Sequence, residues 1–137
     1  MEWVKFMIQY LQTKEFKTED LEALFLSVQW ESGNYPEKLK QALSHYETVF
    51  SAWDDDRLIG LVASMDDGVM TAYVHYLLVH PDYQGQHIGQ QLMRLLKEHY
   101  HDFLKIALCA VNEKVSFYQG LGFHIDDTGT FMCLSKF

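Results

Sequence analysis

Apolar and polar positions along the 137-residue chain alternate between stretches of two-residue period and stretches of 3.6-residue period. Phe6 to Leu11 reads as an opening strand. Thr18-Glu19-Asp20-Leu21-Glu22, a capping Thr followed by acids, then opens a helix running to about Ser27. Trp30 to Tyr35 reads as a loop, after which Pro36 in a first turn and Leu39, Ala42 and Leu43 at helical spacing predict a second helix to near His45. Strands over Thr48 to Trp53 and Arg57 to Met65 flank the turn Asp54-Asp55-Asp56, and Asp66-Asp67-Gly68 leads into a third, Thr71 to Val79. Both alternating sets of that third strand are largely apolar or aromatic, which predicts a central strand covered on both faces.

Past the loop His80 to His87, the stripe Ile88, Leu92, Leu95 or Leu96 and His99 predicts an amphipathic helix. A strand over Lys105 to Val111 follows, then a short helix over Glu113 to Gln119 closed by Gly120 and Gly122. Phe123-His124-Ile125 and Phe131-Met132-Cys133-Leu134 complete the pattern as a last pair of strands. The fold class is α/β with a mixed sheet, antiparallel early, whose strand-helix-strand crossover must join parallel strands.

Composition narrows this picture. The length suits one domain over residues 1–137, and 48% hydrophobic with 22% charged residues is ordinary for a globule. A net charge of −8 repels phosphate backbones and disfavours nucleic acid, while it concentrates cationic small molecules such as amines. Cys109 and Cys133 lie in apolar stretches without CxxC spacing, as expected of buried free thiols and not of a disulfide framework or zinc site. The start Met1-Glu2-Trp3-Val4-Lys5 has no charged leader and no run of about 18 apolar residues occurs, so the expectation is a cytoplasmic chain with no membrane partner.

The loop after Val79 concentrates the chemistry. Asp82-Tyr83-Gln84-Gly85-Gln86-His87 runs into a helix beginning near Ile88-Gly89, which places several backbone N–H groups at a helix N-terminus suited to an anion. Gly85 and Gly89 would let a diphosphate approach closely; taken alone they read more readily as a turn and a packing position. There is no Gly-Lys-Ser/Thr and no dinucleotide fingerprint.

The run Leu77-Leu78-Val79-His80-Pro81-Asp82-Tyr83-Gln84-Gly85-Gln86-His87-Ile88-Gly89 resembles the acetyl-CoA signature of the GNAT N-acetyltransferase superfamily. Gln84 and Gly89 match the motif, whereas His87 stands where the family usually has its first glycine. Asn112 and Phe117-Tyr118-Gln119-Gly120-Leu121-Gly122-Phe123 resemble a second family block. The resemblance implies six or seven strands, about four helices, and parallel fourth and fifth strands splayed around acetyl-CoA as cosubstrate. Backbone groups of Leu78 and Val79 would bind the pantetheine arm, and Gln84, Gly85, Gln86, His87, Ile88, Gly89 and Gln90 the pyrophosphate. Asn112 would lie beside the cofactor, cap the following helix, or both.

Transfer to an amine needs a neutral nucleophile and a proton for the leaving thiolate. A lysine-like amine is neutral in about one molecule in 2,500 at pH 7, which costs about 4.6 kcal/mol and calls for a base or a desolvating pocket. Tyr118 is the candidate general acid, since the family often uses a tyrosine here and a phenol stays protonated while a thiolate forms. His75 is the candidate base, with water, Asp66 or Asp67 as rivals; Tyr73 to Val79 is similar to the His-x-His-x-Leu-x-Val strand of aralkylamine acetyltransferases, with Tyr73 at the first histidine. Tyr73 and His75, with Trp30 and Tyr35 from the loop between the helices, are candidates to line the acceptor site. A core role is the competing reading for each of these aromatics. No histidine pair at i, i+4 suggests a metal. The function so read is direct transfer, in a ternary complex, from acetyl-CoA to a small-molecule primary amine by a monomer or homodimer. The alternatives are a non-catalytic acetyl-CoA-binding regulatory module and an acetyltransferase acting on protein lysines or N-termini.

Overall fold

A computed structural model of the protein describes residues 7–137. Five strands form one sheet in sequence order: β1 (Gln9–Gln12), β2 (Thr48–Asp54), β3 (Arg57–Asp66), β4 (Thr71–Val79) and β5 (Lys105–Leu108). The first four are antiparallel and β4 pairs with β5 in parallel. Phe6 of the expected opening strand lies outside the described residues; Met7 and Ile8 precede β1, which starts later and ends one residue past the expected Leu11.

Helices α1 (Thr18–Ser27) and α2 (Pro36–His45) keep their expected bounds, separated by a 3-10 turn over Glu31–Asn34. Thr18 is the first residue of α1 and does not cap it; Lys17 holds the cap position without a side-chain bond, so the two acids of the first turn carry the complement to the helix dipole. Leu21, Leu24 and Phe25 from α1 and Leu39 and Leu43 from α2 bury against Leu58, Leu61 and Ala63 of β3. On the opposite face α3 (Ile88–His99) buries Ile88, Leu92, Met93 and Leu96 against Ile59, Val62, Ala72 and Val74. Each fully buried Leu or Phe contributes about 1.5–3 kcal/mol, so these faces fix how the helices sit on the sheet.

One irregularity matters for function. Ala63 pairs with Tyr76 and Ser64 with Val74, so His75 is the extra residue of a β-bulge. Ahead of the bulge Ala72 and Val74 face α3; beyond it Leu77 and Val79 do, while Tyr76 and Leu78 turn toward α1 and α2. Both faces of the strand are covered by helices, as its two apolar alternating sets predict.

β5 is shorter than the expected Lys105 to Val111, and the following helix divides into a 3-10 turn over Asn112–Lys114 and α4 (Val115–Gly120). Lys97 Nζ donates to the Leu121 carbonyl at 2.7 Å, tying the end of α4 to α3. The last expected strands, Phe123 to Ile125 and Phe131 to Leu134, are not in the sheet. Their apolar pattern lacks a hydrogen-bonded neighbour; Asp126 closes a local turn with Thr128, and Ile125, Phe131, Met132 and Leu134 stay exposed. This also corrects the reading of the cysteines, since Cys133 on that segment and Cys109 just beyond β5 are both exposed.

Candidate active site

The parallel ladder between β4 and β5 stops at Val74 and Leu108, although β4 continues to Val79. With no β5 partner along the rest of β4, the two strands part and leave a cleft of about 780 Å³ that reaches the N-terminus of α3. Its walls include Leu78 and Val79 of β4, the loop residues Gln84 and Gly85, His87 to Gln90, and Phe117 and Tyr118 of α4.

The loop is built to present backbone. Gly85 has φ of +82°, a conformation that disfavours side chains, and a Cβ placed there would meet nothing within 4 Å. His87 also takes a left-handed conformation, φ 63° and ψ 20°, and its Nδ1 lies 3.0 Å from Gln90 Oε1. The site thus demands the geometry for which the family uses glycine, and histidine supplies it at a cost of about 1 kcal/mol. The first α3 hydrogen bond runs from Gln91 N to His87 O at 3.0 Å, so the N–H groups of Ile88, Gly89 and Gln90 precede the helical ladder. No acid occupies the first turn. A Cβ on Gly89 would lie 3.5 Å from Phe117 and 3.7 Å from Val79, ordinary contact, so packing alone does not demand glycine there. Open N–H groups, a positive helix end and two residues without side chains fit the pyrophosphate of a nucleotide cosubstrate.

Side chains lock the loop in place. Gln84 Nε2 donates to the Val79 carbonyl at 3.0 Å, the Tyr83 hydroxyl donates to Asp54, and the Arg57 guanidinium lies 5.5 Å from the Tyr83 ring centre. Asp54 and Arg57 belong to the β2–β3 hairpin, so the run Asp54-Asp55-Asp56 makes a turn and also anchors the loop.

Tyr118 lies half-buried on α4, with burial raising its pKa and no hydrogen bond to its hydroxyl among the described residues. His75 opens to the same cleft, its pKa lowered by desolvation between neighbouring rings. Its Nδ1 is hydrogen-bonded to the Tyr46 hydroxyl, and the Tyr76 ring stacks on it at 4.1 Å. Trp30 lines the cleft and packs on Phe25 and Tyr76.

Other candidates lie elsewhere. Tyr35 lines a separate cavity of about 540 Å³ with Phe137, and neither Tyr73 on β4 nor Gln86 lines the cleft. Asn112 neither lines the cleft nor caps a helix. Asp66 accepts from the Tyr100 hydroxyl at 2.7 Å; Asp67 accepts from the N–H groups of Met70, Val69 and Thr71, which lower its pKa. Both stand beside the start of β4, outside the cleft lining, so of the side chains His75, Asp66 and Asp67 only His75 lies on it. Tyr46, bonded to His75, and Phe117, on the cleft wall, were not singled out by sequence reading; no spacing rule connects Tyr46 to His75, whereas Phe117 could have been found as the residue before Tyr118. No group of three or more His, Cys, Asp or Glu that could hold a metal occurs among the described residues.

Residues 12–131 match the family model described as an acetyltransferase (GNAT) domain. The chain belongs to the GNAT acetyltransferase family. It is 32% identical over 123 residues to the uncharacterized N-acetyltransferase ycf52 of Porphyra purpurea, an alignment covering 85% of this chain and 70% of that protein. It is 37% identical over 79 residues to the chloroplastic GCN5-related N-acetyltransferase 2 of Arabidopsis thaliana, covering 55% of this chain and 30% of that one. Among solved structures, a GNAT-family acetyltransferase from Streptococcus pneumoniae TIGR4 superposes with a TM-score of 0.81 at 30% identity, covering 95% of this chain and 99% of the other.

Proposed function

We propose that the protein is an acetyl-CoA-dependent N-acetyltransferase that acetylates the primary amine of a small molecule directly, within a ternary complex. The observation that carries this reading is the single cleft that places the N-terminus of α3, His75 and Tyr118 on shared walls. Acetyl-CoA supplies the acetyl group as a thioester. The N–H groups of Ile88, Gly89 and Gln90 hold its pyrophosphate, and the parted edge of β4 receives the pantetheine arm.

His75 takes a proton from the ammonium of the acceptor, or through a water, as the amine nitrogen bonds to the acetyl carbon. Its lowered pKa keeps it neutral, and able to accept, at pH 7. The carbon–sulfur bond breaks, the thiolate takes the Tyr118 proton, and the excess proton on the new amide nitrogen passes through water to restore the Tyr118 phenol; burial raises that pKa, so the phenol arrives protonated. Direct transfer needs no acyl-enzyme, and neither cysteine is asked to act as a nucleophile. We place the reaction in a reducing cytoplasm, a setting compatible with two free thiols.

The test is a panel of small amines, a lysine peptide and a peptide with a free N-terminus, incubated with acetyl-CoA and read by release of CoA thiol. Turnover of a small amine with a kcat/KM at least about tenfold above both peptides supports the reading. Preference for either peptide, or binding of acetyl-CoA without turnover of any acceptor, contradicts it.

A further inference from the structure

Two contacts show that α4 runs beside α3 in the same direction. A Cβ on Gly89, the second residue of α3, would sit 3.5 Å from the Phe117 ring in α4. Just past the end of α4, the Leu121 carbonyl accepts from Lys97 Nζ, near the end of α3, at 2.7 Å. Followed backward from Phe117, the chain reaches Lys114 three residues earlier, at the end of the 3-10 turn over Asn112–Lys114 and immediately before α4. The Lys114 N–H donates to the Val111 carbonyl at 2.9 Å, which holds the turn. This order brings Lys114 toward the end of the cleft where the N–H groups of Ile88, Gly89 and Gln90 are open, and Lys114 is one of the residues lining it.

Charge sets Lys114 apart. Of the residues that line the cleft it is the one Lys or Arg, and none is Asp or Glu. It is exposed and forms no ion pair among the described residues. In a chain of net charge −8, an unpaired ammonium beside a positive helix end is a local attractor for a polyanion. The β4 edge and the α3 N–H groups take the pantetheine arm and the pyrophosphate. CoA carries one more phosphate, on the 3′ position of its ribose, on the side of the pyrophosphate away from the pantetheine arm.

Given the reading of the cleft as an acetyl-CoA site, on which this rests, we propose that Lys114 binds the 3′-phosphate of CoA and makes that phosphate a recognised part of the cosubstrate. The contact is an ion pair between a flexible ammonium and a phosphate, so charge matters more than the shape of the donor, and salt screens it.

The test is calorimetric titration of the whole chain with acetyl-CoA and with acetyl-3′-dephospho-CoA, at low ionic strength, for the parent, Lys114→Met and Lys114→Arg. The parent is expected to prefer acetyl-CoA at least about fivefold, and the preference should shrink as salt is added. Lys114→Met, an exposed change that keeps the length of the side chain, should weaken acetyl-CoA about fivefold and leave the dephospho compound within about twofold, so that the preference collapses. Lys114→Arg should retain it. A parent that binds the two compounds within about twofold of each other overturns the proposal while leaving the cleft as the cosubstrate site. Equal weakening of both compounds by Lys114→Met also overturns it, because Lys114 would then act on the part the two share. Failure of the parent to bind either compound removes the cosubstrate reading and this proposal together.

Discussion

Gly89→Ala separates what the helix needs from what the cosubstrate needs. Gly89 is the second residue of α3, and the added methyl would sit 3.5 Å from Phe117 Cζ and 3.7 Å from Val79 Cγ2, in contact without overlap. Alanine is favoured over glycine in a helix by about 0.8–1.0 kcal/mol, less in a first turn. With no overpacking to offset that gain, the variant should be more stable by about 0.5 kcal/mol, a rise of about 2 °C in Tm for a domain of this size. The same methyl would project where a diphosphate must approach the helix N-terminus. Losing one charge-assisted bond from a backbone N–H costs about 1.5–3 kcal/mol, a weakening of acetyl-CoA binding of about tenfold or more. Urea unfolding and calorimetric titration on the same preparation measure both effects. Affinity within about twofold of the parent would refute the placement of the pyrophosphate, and a loss of stability would refute the packing argument.

Tyr118→Phe should lower kcat by about a hundredfold in the CoA-release assay while calorimetry finds acetyl-CoA affinity unchanged, because only proton donation is removed; unchanged turnover would discard the acid. The lowered pKa of His75 should place the acidic limb of the kcat/KM profile below the ordinary histidine value of about 6.5, with the rate rising with pH, and His75→Gln should abolish that limb. The same shift gives stability that is complete above the unfolded pKa and is lost as pH falls toward the folded one, so urea midpoints of the parent should drop more than those of His75→Gln across that window. Tyr100→Phe removes bonds of 2.7 Å to Ser64 and Asp66 and 3.2 Å to Thr48 from a buried site, and should lower the urea-derived stability by about 2–4 kcal/mol.

Much of the scaffold was legible because local rules and tertiary packing agree. Pro36 and the Leu39–Leu43 spacing set α2, and the Ile88–Leu92–Leu96 stripe set the buried face of α3. The parallel β4–β5 pair followed from a crossover that the connection itself requires. Two features escaped for physical reasons. The bulge at His75 resets the two-residue period, and a strand apolar on both sets looks the same with or without it. The tail from Phe123 to Leu134 carries strand-like side chains, but a strand also needs a ladder, and periodicity does not report a partner. At the site, the glycines and the helix start could be read from the sequence, whereas the bond between Tyr46 and His75 spans 29 positions and leaves no local trace.

The central claim is that the α3 N-terminus holds the pyrophosphate of acetyl-CoA, and calorimetric titration of the intact chain with acetyl-CoA, beside acetyl-pantetheine which lacks the diphosphate, tests it most directly. The account predicts saturable micromolar binding of acetyl-CoA and at least about hundredfold weaker binding of acetyl-pantetheine. Equal affinity for the two, or no binding of acetyl-CoA at millimolar concentration, would contradict it.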